Sequence, residues 1–171
     1  MFGMLARVGA VMTLTTVALA PSPANALNPS CWPVSDNTQT FYPPGRGAVK
    51  VEVHVCVSAI YVQGSYPQHF GLADVVWSRP NGGPLNAFDK FKVRTRLEQD
   101  DNVESWKDAD LRSVINSNSR GSVPVNTPGY YGSQGGWTSD VTIEYDLDND
   151  GKGGYTWDLH GSHEIPLNGV E

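Results

Sequence analysis

The clearest pattern in the chain begins at Val49. Val49, Val51, Val53, Val55 and Val57 alternate with Lys50, Glu52, His54 and Cys56, so five β-branched residues share one side and polar residues the other. Strict period two with this composition predicts a strand buried on one face. Further apolar runs recur at residues 73–77, 88–97, 137–147 and 155–159, separated by turn formers such as Pro80-Asn81-Gly82-Gly83-Pro84. Short strands between Gly/Pro-rich turns predict an all-β fold, an antiparallel β-sandwich of the Ig-like or jelly-roll type with at most one short helix. Within residues 88–97, Lys90, Lys92, Arg94 and Arg96 alternate with Phe91, Val93, Thr95 and Leu97. That pattern predicts a half-buried strand with a basic outer face, read first as a solvated surface and second as an attractor for an anionic partner.

Two stretches depart from period two. In residues 102–116, Val103, Trp106, Leu111, Val114 and Ile115 recur near helical spacing, and Asp101 with Glu104 resembles a capping box, so the helix is expected there. Residues 119–136 show little apolar periodicity but contain Pro124, Pro128 and five glycines, which predicts a long surface loop of the kind that often carries function.

The N-terminus changes the picture of compartment. One cation, Arg7, precedes an apolar run over residues 8–20, which breaks at Pro21 and Pro23 and ends in Ala24-Asn25-Ala26. A short apolar run followed by a small-x-small site predicts a secretory signal peptide over residues 1–26. A membrane anchor would need about 17 to 25 apolar residues. Residues 27–171 are then expected to form one domain, secreted and extracellular, with no membrane partner after cleavage. Both cysteines, Cys31 and Cys56, fall in that part, and an even count in an oxidising compartment predicts a disulfide. Because Cys56 lies opposite the valines, the bridge should tie an extended strap, residues 27–47 with Pro29, Pro33, Pro43 and Pro44, to the outer face or an edge of the sheet. No second cysteine pair or nearby histidine completes a zinc set.

Composition narrows the partners. The chain has 171 residues, 18 acidic against 12 basic, a net charge of −6 and no Lys/Arg cluster, so the surface that nucleic-acid binding requires is missing. With 18 Gly and 12 Pro, it is rich in turn formers and unsuited to a coiled coil.

Three features carry candidate chemistry. Asp146-Leu147-Asp148-Asn149-Asp150-Gly151 resembles the opening of the calcium loop of EF-hand and dockerin-like proteins, where oxygens at alternate positions converge on a hard cation. The resemblance covers six residues: the twelfth position is Trp157, and both flanks alternate as strands. It implies calcium as the cofactor, held by Asp146, Asp148 and Asp150. The same residues also make an ordinary hydrated turn of a β-hairpin, which is the simpler reading. Tyr130, Tyr131 and Trp137 lie among Gly129, Gly132, Gly135 and Gly136, where a flexible backbone could present rings to a sugar or fold them over the end of the sandwich. His160-Gly161-Ser162-His163, beside Asp158 and Glu164, offers a weakly specified metal platform.

No nucleophile elbow, P-loop, dinucleotide fingerprint or H-E-x-x-H occurs, so nothing points to an enzyme. The expectation is a secreted, non-catalytic binding protein for an extracellular polysaccharide or protein, meeting its ligand at Tyr130, Tyr131 and Trp137. The alternatives are a small secreted hydrolase using a carboxylate pair and a protease inhibitor presenting residues 119–136.

Overall fold

Alternation of small β-branched residues makes the valine run the central strand of the molecule. The computed structural model describes residues 25–26, 28–61, 64–83, 85–133, 135–148 and 150–165. The signal-peptide reading lies outside these residues except for Asn25 and Ala26. In chain order the strands are β1 (Asn25–Ala26), β2 (Ser30–Cys31), β3 (Thr38–Phe41), β4 (Val49–Tyr61), β5 (Gln68–Ser78), β6 (Phe88–Gln99), β7 (Asn102–Asp110), β8 (Arg120–Pro124), β9 (Tyr130–Tyr131), β10 (Trp137–Leu147) and β11 (Tyr155–Asp158). A short helix, α1 (Arg112–Ser117), follows β7, and Val34–Asn37 forms a 3-10 turn.

The fold is an antiparallel β-sandwich. In the first sheet β1, β2 and β3 pair in succession along one side of β4, β5 pairs with its other side, and β8 and β9 line the far edge of β5. The second sheet has the order β11-β10-β6-β7. Between the sheets Val51, Val53, Val55, Val75 and Trp77 meet Phe91, Val93, Val141 and Ile143, all buried. Edge-to-face contacts of Phe41 with Phe88 and Tyr145, at 5.2 and 4.8 Å, close one end. A smaller cluster of Val57, Ala59, Leu97, Trp137 and Ile165 fills the other. Beside it lies fully buried His69, its ring stacked on Trp137 at 4.2 Å.

Cys31 and Cys56 stand opposite each other across β2 and β4 and are joined by a disulfide, with Cα atoms 4.0 Å apart. The bridge lies on the face away from the valines, as their alternation requires. Closing a loop of 25 residues contributes about 3 to 4 kcal/mol by restricting the unfolded chain.

Two expectations are corrected. Residues 102–110 are strand β7, not helix, and only Arg112–Ser117 is helical. Asp100 and Asp101 both take positive φ, 50° and 65°, between the paired residues Gln99 and Asn102. That is a two-residue hairpin turn of type I′, built from Asp-Asp rather than the usual Asn-Gly. Val103 and Trp106 are 48% and 59% exposed, so their spacing marks no buried helix face. Likewise residues 119–136 are not all loop, because β8 and β9 add to β5. Gly121 pairs with Trp77, and a Cβ there would come within 2.4 Å of the indole ring. The inward position thus holds a glycine where an apolar residue would have revealed the strand.

Candidate functional site

The basic stripe of β6 becomes the floor of a cleft on the outer face of the second sheet. Antiparallel pairing places one residue of each neighbouring strand beside every outward residue of β6. Lys92 stands between Glu144 of β10 and Asp110 of β7, and Arg94 between Thr142 and Asp108. Arg96 stands between Asp140 and Trp106. Asp158 of β11 lies beside Thr142. All of these except Asp140 and Trp106 line a cleft of about 640 Å³. A shallower hollow of about 420 Å³ continues from Arg94 and Arg96 to Val103 and Trp106.

Four of the seven charged side chains that line this cleft are held in ion pairs. Arg94 donates from Nε and Nη2 to the two oxygens of Asp108, at 2.7 and 2.9 Å. This two-point contact holds the Asp108 carboxyl below its usual range and raises the guanidinium further. Lys90 meets Glu144 at 2.5 Å and lowers its pKa in the same way. Arg96 reaches Glu98 at 3.2 Å and Asp140 at 3.6 Å. Burial raises Glu98, and adjacent, hydrogen-bonded Asp140 adds to the rise against the opposing pull of Arg96. Among the described residues Lys92 has no ion pair within 4.0 Å. The result is a fixed array of donors and acceptors with an exposed indole at its rim, suited to a polar ligand that also has a flat apolar face.

The three aromatic residues singled out from the sequence do not share one surface. Tyr131 is 62% exposed and pairs with Gln68, and Tyr130 is 38% exposed. A hydrogen bond to Glu104, reinforced by that carboxylate's charge, raises the Tyr130 hydroxyl pKa. Trp137 is fully buried, and its Nε1 donates to the Ser133 carbonyl at 2.7 Å. A Cβ on Gly132 would stand 2.4 Å from its ring, so the segment after β9 lies directly over the indole.

The three aspartates at and after the end of β10 diverge in their partners. Asp148 accepts from Arg46 Nε at 3.1 Å and Nη2 at 2.8 Å. Asp150 accepts from the Lys152 backbone N–H at 2.7 Å. Asp146 Oδ1 is buried without a hydrogen-bond partner, next to a register shift between Asp146 and Leu147. Among the described residues no group of three or more His, Cys, Asp or Glu side chains is arranged to hold a metal ion. At Asp148 the compensating positive charge is the Arg46 guanidinium. His160 stacks on Trp32 at 5.3 Å, His163 meets the same ring at a tilt at 4.6 Å, and Trp32 Nε1 donates to Asp36 at 2.8 Å. They join the strap to the segment after β11.

The sequence reading missed Trp106 as a site residue because it was assigned to a helix. It also missed Arg46 as the partner of Asp148, which lies 102 positions away. The usable signal for the cleft was the Lys90–Arg96 alternation. Comparison with protein-family models, curated proteins and solved structures gave no match for this chain. The fold and the cleft therefore define it only as a disulfide-linked all-β sandwich with a polar cleft across one outer sheet face.

Proposed function

We propose that the protein is an exported, non-catalytic binding module that holds an extracellular polysaccharide in the cleft across β11, β10, β6 and β7. The observation that supports this most is the combination of locked charge pairs, such as Arg94 with Asp108, and the exposed Trp106 beside Arg96. Sugar hydroxyls need donors and acceptors at fixed positions, and the C–H face of a pyranose packs on an indole. Pairing the charges beforehand reduces the cost of ordering them when ligand binds. Export is supported by the disulfide, which persists in oxidising compartments. No helix among the described residues is long and apolar enough to cross a membrane.

The test is retention on a panel of insoluble polysaccharides, comparing the wild type with Trp106→Ala and with Tyr130→Ala/Tyr131→Ala. Retention lost in the first variant and kept in the second supports the cleft. Retention lost only in the tyrosine variant moves the site to the β9 end. A second reading has its own observation: Glu98 and Asp140 form a hydrogen-bonded carboxyl pair with a raised Glu98 pKa, the arrangement an acid–base hydrolase would use. Soluble product released by the wild type but not by Glu98→Gln would favour it.

A further inference from the structure

The charge pattern of the cleft separates ligand classes, and the inference rests on the polysaccharide reading above. Three cations line the cleft against four carboxylates, within a chain of net charge −6. Each cation already has a carboxylate beside it. Arg94 is bound to Asp108, Arg96 lies between Glu98 and Asp140, and Lys92 stands in register between Glu144 and Asp110. An acidic glycan would have to displace these carboxylates or lie against them, and like charges brought together repel.

The carboxylates outnumber the cations, and two of them, like Lys92, make no ion pair among the described residues. Among the described residues, Asp110 and Asp158 make no salt bridge within 4.0 Å, although both line the cleft. Asp110 accepts one backbone N–H, from Arg112 at 3.0 Å, which leaves carboxylate lone pairs free. The two sit on β7 and β11, the outer strands of the sheet, three strand spacings apart. At about 4.8 Å per spacing, and one outward position along the strands, they stand roughly 16 Å apart at the backbone, the span of a short oligosaccharide.

We propose that the ligand is an amino-sugar polymer, whose protonated amines pair with Asp110 and Asp158 while a ring packs on Trp106. The experiment is calorimetric titration of the folded protein in mildly acidic buffer with glucosamine, N-acetylglucosamine and galacturonate trimers and with trilysine. The glucosamine trimer should bind at least about ten-fold tighter than its N-acetylated form, and added salt should narrow the difference. The Asp110→Asn/Asp158→Asn variant should bring the two to equal affinity, while Trp106→Ala should weaken both. Equal binding of the two trimers by the wild type, or preference for galacturonate, would overturn the amino-sugar class and leave the cleft as a saccharide site. Trilysine binding that exceeds the sugar and ignores Trp106→Ala would overturn it in favour of a basic peptide. Failure of every saccharide to bind would overturn both this inference and the reading it rests on.

Discussion

Acidification tests the packing around His69. The ring is fully buried, stacked on Trp137, and neither nitrogen makes a hydrogen bond of ordinary geometry. Burial drives its pKa from 6.5 down to about 4, and the backbone of Tyr130 offsets a little of that fall. Among the described residues its neighbours carry no countercharge: Trp137 stacks on the ring, Ala59 and Tyr130 are its register partners, and the Glu104 carboxylate is hydrogen-bonded to Tyr130. In the unfolded chain the same imidazole takes up a proton near its ordinary pKa. Between the two values the unfolded state therefore binds more protons, and stability falls as pH drops through the window, levelling once both states are protonated. The window between 6.5 and about 4, at about 1.36 kcal/mol per pH unit, puts the loss at about 3 kcal/mol. The assay is urea unfolding from about pH 7 to about pH 4 on the wild type and His69→Phe, which keeps an aromatic ring against Trp137 but takes no proton. The wild type should lose about 3 kcal/mol more than the variant over that range. Parallel losses in the two proteins would refute the assignment of a buried neutral imidazole.

Other outcomes follow from particular contacts. Reduction of Cys31–Cys56 should lower unfolding free energy by about 3 to 4 kcal/mol, read from denaturant curves with and without reductant. Gly121→Ala should destabilise by about 1 to 3 kcal/mol, because the added carbon meets the ring of Trp77, whereas Gly153→Ala, with open space around it, should change little. Trp106→Ala should leave the melting temperature nearly unchanged, since the ring is mostly exposed, while abolishing polysaccharide retention. The melting temperature should be the same in calcium and in chelator, because Arg46 already supplies the positive charge at Asp148, and a rise with calcium would support the calcium reading of Asp146, Asp148 and Asp150.

The sandwich was readable where one face of a strand is dry and the other wet. The five valines of β4 and the Phe91–Val93–Thr95–Leu97 face of β6 display that asymmetry directly, and the side of the sheet on which Cys56 lies follows from it. Edge strands carry no such signal. On β7, Val103 and Trp106 face solvent, and on β8 an inward position is Gly121, so alternation fails where the structure is still extended. The Asp100–Asp101 turn lacks the glycine that usually announces a tight hairpin. The cleft was half readable. Its cations alternate visibly along β6, but apart from Glu98 their partners come from β7 and β10, and only the register brings Trp106 beside Arg96 and Asp108 beside Arg94. The fate of Trp137 was hidden for a related reason: glycines around an aromatic residue suit an exposed loop, yet Gly132 is there to let the backbone cross the buried ring.

The most direct measurement is the map of backbone amide chemical-shift changes during titration with the glucosamine trimer. Binding in the cleft predicts that the largest changes fall on Lys92, Arg94 and Arg96, with Trp106, Asp110 and Asp158 on the flanking strands. Changes confined to Tyr130, Tyr131 and the neighbouring end of β5, or spread weakly over the whole surface, would contradict it.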